Sequence, residues 1–554
     1  MFHVEQFHIY MRKLSNISGN ILDVINKRIY QGEIYIENGR IIDIVEKPVN
    51  SKRFITPGLI DSHIHIESSM LTPQNFAEVV IRHGTIALVA DPHEIANVLG
   101  IEGVQYMIDN AKMAPAKFFF GAPSCVPATS FEDNGGEISP SEIEELFTKG
   151  QVHFLSEMMN YPGVIYKDPL VLKKIEIANK FKAKIDGHAP GLRGVDLLEY
   201  VNAGIETDHE CITLNEAIEK INIGMKILVR EGSAAKNFNA LFPLIDQYPN
   251  QIMFCTDDLH PDDLIRGHIN LIVKRAIDKG ADIFNVFRAC TFNPISHYNL
   301  NIGILNIGDS ADMVVFFNQE DMEIEKTIIN GNIIYQAGEN IWSAGEQNVI
   351  NNFKADKINL ASLQIADKGK LIKIIQAYDG ELNTGVIIDK PNSFNKNLQS
   401  DISKDFLKIC LVCRFKKLPP ALGFINGFGI KRGAIASSVA HDSHNIIGIG
   451  ANDQHLAEVV NWIIDHNGGI AVHDGNIIKG IPLPIAGIIS DNKAEHIAKL
   501  YAELNRMIQL MGSELTSPFM TLSFMALLVI PEIKLSNRGL FDSNTFSLTD
   551  LYVF

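Results

Sequence analysis

The chain reads as an α/β protein: a (β/α)8 barrel, a small β-sandwich built from both flanks of the barrel, and a C-terminal α+β domain. Three observations predict this. Short apolar runs followed by helix-length amphipathic stretches recur through residues 57–300. Hairpin patterns stand on both sides of that region. The character changes again near residue 350. At 554 residues, a rule of ~150 residues per domain allows about three or four units.

The first flank, LDVINKRIYQGEIYIENGRIIDIVE (22–46), alternates apolar and polar positions around Asn38-Gly39, a hairpin signal. The pattern returns as ADMVVFF (311–317) and KTIINGNIIYQAG (326–338), with a second turn at Asn330-Gly331. Residues 1–56 and 301–348 are therefore assigned to the sandwich, 57–300 to the barrel and 349–554 to the last domain.

Within the middle region eight strands are expected. The first four are GLIDSHIHI (58–66), TIALVAD (85–91), KFFFGAP (117–123) and VHFLSE (152–157). AKIDGH (183–188), GIETDH (204–209), MKILVRE (225–231) and QIMFCTD (251–257) follow. Eight strand–helix units over such a length fit a closed barrel. A doubly wound open sheet is the alternative, but no glycine-rich dinucleotide loop follows the first strand.

From SLQIADKGKLIKIIQAYDGELNTGVII (362–388) onward the chain reads as a separate α+β unit. GFGIKRGAIASSVAHDSHNIIGIG (427–450) is expected as one long strand-like stretch, and FLKICLVCRF (406–415) as a buried strand. His441, Asp442 and His444 form a polar knot there, read as a helix or strand cap.

Composition excludes several classes. A formal charge of −16 argues against a nucleic-acid surface and against an anionic membrane. Apolar content of 46% with 21% charged residues is an ordinary globular balance. The six cysteines are scattered without a disulfide rhythm, as in a reducing compartment. MFHVEQFHIYMRKLSN has no continuous apolar core of a secretory leader. FMTLSFMALLVI (519–530) is too short to span a bilayer. A soluble, cytoplasmic protein is expected.

Chemistry is expected at the C-terminal ends of the barrel strands. His63 and His65 stand two apart in DSHIHI, so both imidazoles face one side of a strand. Later strand ends add Glu157, His188, His209 and Asp257. Each alone is ordinary, but six on the ends of successive strands point to divalent first-row metals. Two ions sharing a carboxylate accommodate them: His63, His65 and Asp257 on one, His188 and His209 on the other, Glu157 bridging. A water between two such cations loses a proton near neutral pH.

PGLIDSHIHIESSM (57–70) and GDSADMVVF (308–316) resemble signatures of the amidohydrolase superfamily. More narrowly, VADPHEIANVLG, SCVPATS, SEMMNYPGVI, DGHAPGL, TDHE, REGSAAKN and CTDDLHPDDL resemble the bacterial adenine deaminase family, and AHDSHNIIGIG extends the match to the last domain. Leu259 departs from the pattern, where many relatives carry a basic residue. The resemblance implies hydrolytic deamination of adenine to hypoxanthine and ammonia, with two divalent ions, Mn2+ first and Fe2+ or Zn2+ as alternatives. It also implies a small purine as partner and a homo-oligomer, a dimer favoured. Asp257 is the expected proton shuttle to the leaving amine.

Other readings make different demands. A cyclic-amide hydrolase resembles the histidine pattern but uses a carboxylated lysine where this chain has Glu157. A mononuclear deaminase leaves Glu157 without a role. The zinc deaminase pattern H-x-E…P-C-x-x-C is half met by His65, Glu67, Cys410 and Cys413, but Ile409 stands where proline is required. A catalytically dead scaffold is the non-enzymatic reading, yet no ligand is missing. His93, Glu94, Asp258 and His260 are candidate substrate contacts, while Arg230 and Glu231 either touch the purine or anchor loops.

Overall fold

Eight parallel strands lie at the centre of the computed structural model, which describes residues 12–553. The opening MFHVEQFHIYM, on which the leader argument mostly rests, lies outside the described residues. The first four strands are β1 (Leu59–Ile64), β2 (Thr85–Ala90), β3 (Lys117–Ala122) and β4 (Phe154–Met158). They continue as β5 (Lys184–Gly187), β6 (Thr207–Asp208), β7 (Lys226–Arg230) and β8 (Ile252–Cys255). Each overlaps its expected segment, β4 running one residue further.

Parallel pairing runs from β1 through β5 and again from β6 through β8. Two seams close the ring. Asp257 N donates to His63 O at 3.0 Å and His65 N to Asp257 O at 3.3 Å, joining β8 to β1; Glu206 N donates to Ile185 O at 3.0 Å, joining β6 to β5. Every residue of β1 and β2 is buried, as expected for parallel strands covered on both faces. One core cluster draws on six strands through Ile60, Ala87, Phe119, Phe154, Leu228 and Met253.

Helices return the chain between strands, and their starts are written locally. Thr72 accepts from Asn75 N with Pro73 in the first turn, and Ser139 with Glu142 forms a capping box. Asp168 and Thr213 cap Pro169–Lys180 and Leu214–Asn222 in the same way.

The two flanks meet in one nine-stranded sheet, joined where Phe54–Pro57 pairs antiparallel with Met313–Phe316. Both predicted turns have positive φ at both central residues, 50° and 78° at Asn38-Gly39 and 51° and 72° at Asn330-Gly331. That is the tight hairpin geometry Asn-Gly favours. The sheet buries Ile21, Ile34, Ile55, Met313, Val315 and Ile328 in its own cluster.

The last domain is built on an eight-stranded sheet with helix Asp453–Asp465 packed against it. Leu407–Val412 is the buried strand expected in FLKICLVCRF, and Cys410 and Cys413 are free and buried. The stretch 427–450 is not one strand. Ala434–Ser437 and Ile446–Gly450 pair antiparallel, and the polar residues between them leave the sheet for the barrel mouth. A run of Ser, His, Asp and Asn side chains cannot be buried unpaired in a sheet interior. Among the described residues no helix is long and apolar enough to cross a membrane.

Barrel and last domain share one core. Ile66, Phe76 and Ile95 belong to the same buried cluster as Ile485, Tyr501 and Phe524. Ser490 N donates to Met70 O at 2.8 Å, and Asn75 Nδ2 to Asn492 O at 2.9 Å. Ending the chain near residue 345 is therefore expected to expose apolar surface and give an aggregating fragment on size-exclusion chromatography. A monodisperse fragment with native circular dichroism would show that the barrel does not need this cover.

Candidate metal centre

Asp61 sets the seam between the first and last barrel strands. Its Oδ1 accepts from His63 N at 3.3 Å and Thr256 N at 3.1 Å, while Oδ2 takes the Thr256 hydroxyl and lies 3.0 Å from His268 Nε2. His63, His65 and Asp257 are thereby brought to one point. His65 Nδ1 stands 3.1 Å from Asp91 O, a contact that puts the proton on Nδ1 and leaves Nε2 to face the centre. Asp257 has φ 55°, a left-handed conformation that Asp tolerates better than most residues.

The other side is fixed by β4, β5 and β6. Gly187 precedes His188 where an added Cβ would stand 2.2 Å from Thr207 O, so only glycine lets β5 approach β6. His188 N donates to Tyr200 Oη at 3.0 Å, and that hydroxyl donates to Met158 O at 2.7 Å. Fully buried Lys220 reaches Asp208 and Glu216, each at 2.9 Å, and Ala189 O at 2.7 Å, bracing both histidine segments.

Donors around an ion bound tetrahedrally at ~2.0–2.1 Å stand about 3.3–3.4 Å apart. His63 Nε2, His65 Nε2 and Asp257 Oδ1 are separated by 3.2, 3.2 and 3.4 Å. Glu157 Oε2, His188 Nδ1 and His209 Nε2 are separated by 3.0, 3.3 and 3.4 Å. Glu157 Oε1 lies 3.3 Å from His65 Nε2, so its two oxygens face the two donor sets. The six sequence-predicted ligands converge, all buried, with spacings and chemistry that fit divalent cations.

Charge around the centre is layered. Burial pushes the Glu157 carboxyl up, but His188, His209 and His65 hold it well below the usual range. Burial acts likewise on Asp257, and Arg230 foremost outweighs it. Arg230 Nη1 donates to Asp257 Oδ2 at 2.6 Å and to Glu210, so the oxygen that sequence reasoning leaves free for protons carries a guanidinium contact. Arg230 is an anchor for Asp257 and Glu210 and also lines the cavity, which is compatible with both readings of it. Glu231 is an anchor, 2.6 Å from Arg275. Glu210, next to His209 in TDHE, was missed; its Oε1 lies 3.3 Å from His209 Nε2.

The candidate substrate contacts divide. His93, Glu94 and Asp258 line the cavity above the centre. His93 Nδ1 is 3.1 Å from Asp91 and 3.5 Å from Glu157. Asp258 accepts from Ser68 at 2.5 Å. His260 does not line it: buried Leu259 turns the chain so that His260 precedes helix Pro261–Arg266, its Nδ1 2.5 Å from Tyr501 Oη. The polar knot is a local cap only in part: His444 Nδ1 accepts from Ala440 N at 3.2 Å. His441 and His444 both contact Glu94 across the domain boundary, and Asp442 lines the cavity with Leu382, Phe524, Leu527 and Val529. Periodicity gives no sign of a contact some 350 positions away in sequence.

Residues 54–334 match the model of the amidohydrolase family, and residues 381–547 that of the adenine deaminase C-terminal domain. The chain is similar to the adenine deaminase of Methanosarcina mazei, 47% identical over 96% of this chain and 99% of that one. It is 48% identical to the adenine deaminase of Sulfurovum sp. over 96% of this chain and 99% of the relative. The adenine deaminase of Borreliella burgdorferi is 44% identical, with 97% and 100% covered.

The position of Glu157 gives a test by elemental analysis. Glu157→Gln keeps the shape but removes the charge facing both donor sets, and bound metal per chain is expected to fall. Unchanged metal content would make Glu157 a bystander.

Proposed function

The chain belongs to the adenine deaminase family of amidohydrolases, and from that premise we propose that it hydrolyses adenine to hypoxanthine and ammonia at the histidine–carboxylate centre. The observation that carries the reading is the placement of Glu157, one oxygen toward each donor set. His63, His65 and Asp257 are assigned to one divalent ion, His188 and His209 to a second, and Glu157 to both. Mn2+ is the proposed ion, with Fe2+ or Zn2+ as alternatives suited to the same donors. Bound there, such ions supply Lewis acidity and bring the pKa of a coordinated water toward neutrality.

The chain's own residues do the rest. Water adds at C6 of the purine, and the exocyclic nitrogen leaves as ammonia once it has been protonated. Asp257 is assigned to take the proton released from water and deliver it to that nitrogen. Arg230 orients Asp257 for that role through its contact with Oδ2 at 2.6 Å. Glu210 holds Arg230 in turn. Leu382, Phe524, Leu527 and Val529 give the cavity an apolar wall suited to a flat base. We assign residues 57–300 to the catalytic barrel, 1–56 with 301–348 to the flanking β domain, and 349–554 to a domain that completes the site.

Ammonia release is expected from adenine far faster than from adenosine or cytosine, and ring opening of dihydroorotate, which releases no ammonia and is followed separately, is expected to be negligible. Strong activity on dihydroorotate with none on adenine would overturn the assignment. Active protein is expected to carry about two divalent ions per chain and to lose turnover on chelation. Full activity at one ion points to a mononuclear mechanism instead. Asp257→Asn retains a side chain that tolerates the left-handed backbone but cannot take the proton. Turnover is expected to drop at least about a hundredfold, within the range for general acid–base assistance. An Asn variant that holds its metal and stays within a fewfold of the parent would exclude Asp257 as the shuttle.

A further inference from the structure

Asp442 has chemistry that the metal centre does not use. The segment between Ala434–Ser437 and Ile446–Gly450 crosses to the barrel mouth, where His441 Nδ1 stands 2.5 Å from Glu94 Oε1 and His444 Nε2 meets Glu94 Oε2. The two histidines pin the segment on either side of Asp442. Asp442 Oδ1 lies 3.9 Å from His93 Nε2, beyond hydrogen-bond reach. Among the described residues Oδ2 has no hydrogen-bond partner, although the residue is only 3% exposed and lines the cavity.

A carboxylate that merely stabilises a loop occupies its oxygens with nearby backbone N–H groups. Asp405 does so with Gly427 and Gly429, and Asp474 with Asn476 and Ile477. Asp442 does nothing of the kind, and a buried acceptor left unpaired is destabilising. The polar side chains that share the cavity with it are engaged elsewhere, His93 with Asp91 and His441 with Glu94, and Leu382, Phe524, Leu527 and Val529 on the same lining offer no donor. The acceptor therefore points to a donor on the ligand.

A free purine base that presents its amino-bearing carbon to the metal centre carries, at its other end, one N–H on the five-membered ring. Nucleosides and N9-alkylated purines lack that hydrogen. We propose that Asp442 is a specificity residue that accepts this N–H and so selects the free base, an inference that rests on the adenine reading above. The last domain then supplies recognition while the barrel supplies chemistry.

The test uses full-length, metal-loaded protein, with kcat/KM measured for adenine and 9-methyladenine. Inhibition constants stand in where turnover is undetectable. Asp442→Ala is expected to lower kcat/KM for adenine at least about tenfold, mostly through KM, the effect of one hydrogen bond to a charged group. It is expected to leave 9-methyladenine no worse, so the preference for adenine shrinks by the same factor. Asp442→Asn, which keeps an acceptor oxygen and the shape, should fall between parent and Ala, with metal content unchanged. If the parent deaminates adenine but the preference moves by less than about twofold in both variants, Asp442 does not read that hydrogen. Loss of metal from Asp442→Asn would mean a structural role and also overturn the proposal. A parent inactive on adenine would remove the functional reading itself, and this inference with it.

Discussion

The centre depends on the seam between the first and last barrel strands. Asp61 holds Thr256 through backbone and hydroxyl, and the main chains of His63, His65 and Asp257 exchange hydrogen bonds directly above it. His63 and His65 are thus fixed to within a few tenths of an ångström of metal-binding spacing from Asp257, which lies at the far end of the barrel sequence. Rigid strand ends can hold such a constellation better than loops can, because their backbones are fixed by ladder bonds on both sides. The single left-handed residue at Asp257 turns its side chain in at the point where the ladder ends.

Around this seam lies a set of buried charges that would be costly if any were alone. Arg230 is shared by Glu210 and Asp257, and Lys220 by Asp208 and Glu216. Buried ion pairs contribute little net stability, but removing one partner leaves an uncompensated charge in a low-dielectric interior. Their effect here is positional: Arg230 orients Asp257, and Lys220 braces the ends of β5 and β6 through Ala189 and Asp208. Burial pushes the Glu157 and Asp257 carboxyls up, and the histidines around Glu157 and Arg230 beside Asp257 bring them below the usual range.

The last domain is part of the same site. Glu94 sits on a barrel helix, yet both its oxygens are taken by histidines that arrive near residue 440. Leu382, Phe524, Leu527 and Val529 line the same cavity as the histidine–carboxylate cluster. A cavity roofed by a second domain can exclude water from a flat, mostly apolar base while keeping polar contacts at its edge. Shared burial of Phe76 and Ile95 with Tyr501 and Phe524 fixes the relative placement of the two parts.

The barrel was legible in the sequence because strand, turn and cap signals are local. Each of the eight apolar runs contains its strand core, and both Asn-Gly turns fall where the alternation breaks. The convergence of His63, His65, Glu157, His188, His209 and Asp257 was legible for a related reason: in a closed barrel, a residue's position at a strand end already says where it points. Tertiary structure decided what depends on distant partners. The sequence offers Arg230 and Glu231 as equals, but only the fold sets one on Asp257 and the other on Arg275 at the outside. It offers His260 as a neighbour of Asp257, but burial of Leu259 turns His260 toward Tyr501. It offers AHDSHN as a polar break between strands, and only packing of the last domain on the barrel carries that break to Glu94. Periodicity reports which face of an element is buried and not which element lies opposite. That partner is chosen by long-range packing, and with it the part of the cavity lining that the last domain supplies.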